Sequence, residues 1–181
     1  MTQSASAIKA ILFDIGGTLV QKANHGSRDL VLIAQMGELL DSQLSPQDLL
    51  QQISEGEQAY KTWRQHSFVE LPLEERWPTW YLPAYPASKV RALAPQLQRL
   101  WSQSRGKRWI EPTTVTTLKE LAARGYILGT VSHTSPAWLA EAGIEDLFRT
   151  SVHAAAYGWR KPHPAIFLEG ARACGVVPCE C

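Results

Sequence analysis

At 181 residues, 45% of them hydrophobic and 19% charged, with a formal net charge of +1, the chain has the composition of a folded globular protein. That length suffices for a core domain carrying an inserted subdomain. The near-neutral balance provides no global field for nucleic acid or an anionic membrane, and no apolar run approaches the ~20 residues that span a bilayer. Residues 1–7 are small and polar, without a basic n-region or an apolar h-region, and read as a frayed tail and not a signal peptide. Three cysteines, Cys174, Cys179 and Cys181, crowd the carboxyl end. Their odd number argues against a disulfide framework and their spacing matches no standard zinc pattern, so reduced thiols in a cytoplasmic protein are expected.

The first structured stretch is Ala10-Ile11-Leu12-Phe13, which stops at Asp14-Ile15-Gly16-Gly17-Thr18. An apolar run bounded by breakers predicts a buried parallel strand, delivering Asp14 to the carboxyl end where open α/β sheets place ligand sites. Gly16 and Gly17, lacking Cβ, allow a phosphate or metal to approach the backbone. Past a polar segment, Ser27 is expected to cap a helix that buries Leu30, Val31, Ala34 and Leu39. Ser45-Pro46-Gln47-Asp48 is a stronger start signal, with a capping hydroxyl, proline at the first helical position and an acid three residues on. The helix it opens carries Leu49, Ile53, Gly56, Tyr60 and Trp63 on one stripe.

The segment from Leu71 to Pro86 holds too many prolines for one regular helix. Its Trp77, Trp80, Tyr81 and Tyr85 are expected to pack between helices, because aromatics dominate core contacts. Ser88 is expected to start a helix with Val90, Leu93, Leu97, Leu100 and Trp101 inward. Arg105-Gly106-Lys107-Arg108-Trp109 reads as a solvated loop and not as a nucleic-acid patch.

From Pro112 the pattern alternates between helix and strand. Thr113 or Thr114 is expected to cap a helix through Val115, Leu118, Leu121 and Ala122, stopped by Gly125. Tyr126 to Val131 predicts a strand ending at Ser132-His133-Thr134, followed by a short helix through Trp138 and Leu139 that Gly143 ends. Leu147 to His153 reads as a third strand. The loop Gly158 to Pro164 then leads into a helix with Ile166, Phe167, Gly170 and Ala171, ended by Gly175. Strands alternating with helices imply an α/β fold with right-handed parallel crossovers, which bring the strand ends to one rim. Asp14, Ser132 and the Lys161 loop would meet there. By itself Asp14 also reads as the cap of a turn, but a carboxylate, a hydroxyl and an ammonium together form a set able to attack and hold an anion.

These residues resemble the haloacid dehalogenase (HAD) superfamily, whose pattern is an apolar strand into Asp-x-Asp-Gly-Thr, a later strand ending in Ser or Thr, and a Lys-Pro loop. Phe13-Asp14-Ile15-Gly16-Gly17-Thr18-Leu19, Gly129-Thr130-Val131-Ser132-His133 and Gly158-Trp159-Arg160-Lys161-Pro162-His163-Pro164 follow that order. The resemblance implies a Rossmann-like parallel sheet core, from residues 1–20 and 109–181, with an α-helical cap inserted at 21–108. It implies Asp14 as nucleophile and Mg2+ ligand, with the carbonyl of Gly16 as a further ligand. Ser132 and Lys161 would be catalytic partners, and Gly16, Gly17 and His133 would lie on the substrate side. A small phosphorylated molecule is the implied substrate.

Two departures accompany the likeness. Gly16 stands where the family's phosphatases carry a second Asp that serves as general acid and base, a loss worth about 10²- to 10⁴-fold in rate. His133 and His163 flank the rim, and an imidazole can stand in for that acid, although both read first as solvated loop residues. The sequence also stops before the strand whose acidic end completes the family's metal site, which implies weak Mg2+ binding and an exposed edge on the first strand for a partner or a second copy to cover. Besides a phosphatase, these departures suit a catalytically silent binding protein, or an enzyme cleaving carbon–halogen or carbon–phosphorus bonds.

Overall fold

In the computed structural model, which describes residues 7–23 and 27–181, the first element is the apolar run Ala10–Phe13, strand β1. The expectations for residues 1–6 and 24–26 lie outside the described residues. Directly after Asp14 the chain turns back on itself, because the carbonyl of Ile15 accepts the amides of Leu19 at 3.0 Å and Val20 at 2.8 Å. Gly17 takes φ = 83°, a left-handed conformation that glycine adopts without a steric penalty. Strand β2 (Gln21–Lys22) follows. From there the chain divides into two units, Lys22–Lys107 and the remainder.

The Lys22–Lys107 unit is helical. Helix α1 (Leu30–Leu40) is capped by Asp29, whose carboxylate accepts the Val31 amide, and not by Ser27. Its inward face is Ile33, Met36 and Leu40, while Val31 is 67% exposed. The buried stripe is therefore not the one expected. Helix α2 (Pro46–Ser67) starts at the Ser45-Pro46 signal, with Ser45 Oγ accepting the Asp48 amide at 3.2 Å. Leu49, Ile53 and Tyr60 of its stripe are buried.

Helix α3 (Leu73–Arg76) runs into a π-helical turn at Trp77–Tyr81, so the proline-rich segment is broken helix. Helix α4 (Ala87–Gln103) begins one residue before Ser88, with Pro86 at the cap position and no side-chain cap. One core gathers Met36, Ile53, Tyr60, Trp77, Leu97 and Trp101. The aromatics pack there as expected, with Tyr60 stacked on Trp63 at 5.7 Å. Arg105 is half-buried and not a free loop residue; it pairs with the half-buried carboxylate of Glu57, which Arg28 and Lys61 also approach.

The second unit resumes with β3 (Arg108–Trp109) and α5 (Pro112–Ala123), which starts at its proline after Glu111, leaving Thr113 and Thr114 inside the first turn. Strand β4 (Ile127–Ser132), helix α6 (Ala137–Glu141), strand β5 (Thr150–His153), the single turn α7 (Ala154–Tyr157) and α8 (Pro164–Cys174) complete it. The sheet is parallel in the order β1-β4-β5, with Phe13 opposite Thr130 and Ser132 opposite His153. Fully covered β4 lies in the middle.

One sheet face packs Leu128 against Leu118, Leu139 and Ile15, and the other packs Val131 and Val152 against Ile166. Helix α8 lies against β4 through Gly170, where a Cβ would come within 2.6 Å of Val131 Cγ2. Phe167 is 42% exposed, whereas Ile166, Gly170, Ala171 and Cys174 of α8 are buried. Beside the outer edge of β1, Ile8, Ile11, Phe167, Leu168, Pro178 and Cys181 line an apolar groove of about 480 Å³. The Lys9 amide donates to the Glu180 carbonyl at 2.8 Å at one end of that edge. No helix of the described residues is long and apolar enough to cross a membrane.

Candidate active site

Parallel pairing fixes the first two members of the site. Because Phe13 of β1 aligns with Thr130 of β4, Asp14 just past β1 and Ser132 at the end of β4 reach the same end of the sheet. Ser132 is 1% exposed and uses its whole hydrogen-bonding capacity. Its hydroxyl donates to Asp14 Oδ1 at 2.8 Å and accepts the amides of Thr134 at 2.9 Å and Ile15 at 3.4 Å. It therefore ties the loop after β4 to the loop after β1.

Lys161 comes from the loop between α7 and α8, and its Nζ lies 2.8 Å from the same oxygen, Asp14 Oδ1. Both donors converge on one oxygen, so Oδ2 takes neither contact, and the carboxylate is 36% exposed, open to a ligand. Partial burial by itself would raise the Asp14 pKa. The hydrogen bonds from Lys161 and Ser132, the charge of Lys161 and the Ile15 amide outweigh it and hold the carboxyl below its ordinary value.

The sequence-predicted residues divide by what their atoms do. The Gly17 amide is committed to the Val20 carbonyl at 2.9 Å, whereas the amide and carbonyl of the exposed Gly16 enter no hydrogen bond among the described residues. His133 is half-buried, and its Nε2 accepts the Lys161 amide at 2.9 Å. His163 caps α8 by accepting the Ala165 amide and stacks on Trp159 at 4.1 Å. Neither histidine is the solvated loop residue that the pattern suggested, because each imidazole satisfies a backbone amide that its loop would otherwise leave unpaired.

Thr134 was not singled out by the sequence. A Cβ built on Gly16 would lie 2.5 Å from its Oγ1, so the hydroxyl occupies the space a side chain at position 16 would need. Its only sequence signal is a hydroxyl two residues beyond a strand-end serine. Among the described residues no group of three or more His, Cys, Asp or Glu side chains gathers to hold a metal. The oxygen donors at the rim are the Asp14 carboxylate and the Gly16 carbonyl, a set that fits Mg2+ when water and substrate oxygens complete the octahedron.

Comparison with known proteins gives the family and the fold. The family model of haloacid dehalogenase-like hydrolases matches residues 8–181. The chain is 28% identical over 185 aligned positions to a glyceraldehyde 3-phosphate phosphatase of Methanopyrus kandleri, covering 96% of this chain and 73% of that protein. Among solved structures it is similar to the 2-haloacid dehalogenase of Pseudomonas syringae pv. Tomato DC3000, with 22% identity and a TM-score of 0.63 over 93% of this chain and 74% of that one. It is also similar to a predicted phosphoglycolate phosphatase of Haemophilus somnus 129PT, with 21% identity and a TM-score of 0.53 over 98% of this chain and 76% of that one.

Proposed function

The chain belongs to the haloacid dehalogenase-like hydrolases, and from that membership we propose that it is a phosphatase of a small phosphorylated metabolite, acting through Asp14. The observation that carries this reading is the Asp14 carboxylate, kept ionised and oriented by Ser132 and Lys161 through one oxygen while the other stays uncommitted. The phosphatase name of the relative in Methanopyrus kandleri supports the same reading.

In the proposed reaction Asp14 Oδ2 attacks phosphorus, the bond from phosphorus to the leaving oxygen breaks, and that oxygen takes a proton from solvent. Water then cleaves the acyl phosphate, releasing inorganic phosphate and the free carboxylate. Lys161 offsets the negative charge that accumulates on the transferring oxygens, and Ser132 keeps the carboxylate in its attacking orientation. Mg2+, held by Asp14 and the Gly16 carbonyl, would supply charge neutralisation at the phosphate. Purified protein with Mg2+ should hydrolyse a generic aryl phosphate, and Asp14→Asn should reduce the rate to background. Equal rates in the two proteins reject the proposal.

Gly16 favours a second reading. It offers no carboxylate to protonate a leaving alkoxide, and a halide departs without needing a proton. Under that reading the same Asp14 carboxylate displaces halide from a small 2-haloacid. Asp14-dependent halide release without phosphate release would select it.

A further inference from the structure

We propose that Thr134 is a substrate-contacting residue, whose hydroxyl, seated against Gly16, donates a hydrogen bond to an oxygen of the bound phosphate. The inference rests on the phosphatase reading for its ligand class but on separate atoms for its evidence. Three observations converge. The Thr134 amide is tied to Ser132 Oγ, the hydroxyl that also holds Asp14 Oδ1, so Thr134 is anchored one hydrogen bond away from the nucleophile's own partner. Its half-buried Oγ1 enters no hydrogen bond among the described residues, which leaves its donor free for a ligand. And that oxygen lies against Gly16, whose bare amide and carbonyl, like Asp14 Oδ2, enter no hydrogen bond among the described residues.

The same contact explains why position 16 carries no side chain. A Cβ there would sit 2.5 Å from Thr134 Oγ1 and 3.5 Å from its Cβ, well inside ordinary separation for the oxygen. Thr134 is β-branched, so its χ1 has few alternatives, and moving the hydroxyl aside costs its aim. Gly16 and Thr134 form a pair in which the small residue makes room for the donor. The hydroxyl, whose proton is not acidic at neutral pH, contributes a directed hydrogen bond and not proton transfer.

Binding of inorganic phosphate to the full chain, followed by calorimetry in the presence of Mg2+, tests this without turnover. Thr134→Val keeps the shape and removes the donor, and should weaken phosphate binding about 10-fold or more, as expected for a hydrogen bond to a charged group. Thr134→Ser keeps the donor and should bind within about twofold of the parent, a level at which one hydrogen bond is retained. Unchanged binding in Thr134→Val overturns the proposal, as do equal losses in Val and Ser, which would assign the effect to the methyl group. Absence of phosphate binding in the parent protein overturns it too. Thr134-dependent phosphate binding in a protein that fails the Asp14-dependent aryl phosphatase assay would sink the catalytic reading while leaving this contact standing.

Discussion

Asp14 carries a charge that its neighbours set. Its lowered pKa means that the ionised form persists as pH falls past the ordinary carboxylate value, and the stability this carboxylate contributes is present above its unfolded pKa and lost as pH drops through the folded one. Burial is the largest single influence and raises the value, and without the Lys161 ammonium the chief influences opposing it are gone. Lys161→Met should therefore move the acidic limb of the activity profile to higher pH and lower kcat/KM by about 10²-fold or more, both read from one pH series. An unmoved limb would show that Lys161 does not hold the carboxylate.

At this scale the sequence was informative where a residue's neighbours are fixed by strand order. Asp14 and Ser132 end adjacent strands, and each is announced by the apolar run before it. Thr134 was not legible, because its importance lies in a distance to Gly16 across 118 positions that no local pattern encodes. Asp29 displaced Ser27 as a cap because both are good capping residues two positions apart, and only packing decides between them.

Elements succeed or fail on close approaches. Helix α2 passes the π-helical turn at Gly56, where a Cβ would lie 2.1 Å from the carbonyl oxygen of Trp80. That neighbour is backbone and cannot swing away, so Gly56→Ala should destabilise the protein by about 1–3 kcal/mol, measured by urea unfolding, despite the better helix propensity of alanine. Glu70 is buried beside Arg76 at 2.8 Å and Arg64 at 3.5 Å, and it accepts the Tyr60 hydroxyl at 3.0 Å. Glu70→Ala strands those cations and should cost about 3–5 kcal/mol in the same measurement.

The Ser45-Pro46 start of α2 could be read directly because capping chemistry is local. The π-helical turn could not, since prolines announce only that a regular helix is broken, and tertiary contacts of Trp77 and Tyr81 choose what replaces it.

The α/β class was legible across the whole molecule because alternating patterns dictate parallel crossovers, and the helical unit was legible because its stripes have helical spacing. Boundaries were less so: the turn α7 falls within a stretch too short to show periodicity. Phe167 faces outward because α8 spends its inward positions on Gly170 and Ala171, small residues that let it press on the sheet.

The groove beside β1 has a practical consequence for anyone handling the protein. An apolar channel of about 480 Å³ open to solvent in the native state is a receptor for amphiphilic dyes, so the folded protein should brighten 8-anilinonaphthalene-1-sulfonate without any denaturant. Phe167→Glu, at a position already 42% exposed, should quench that fluorescence while leaving the unfolding midpoint nearly unchanged. Detergent traces would compete with the dye for the same groove.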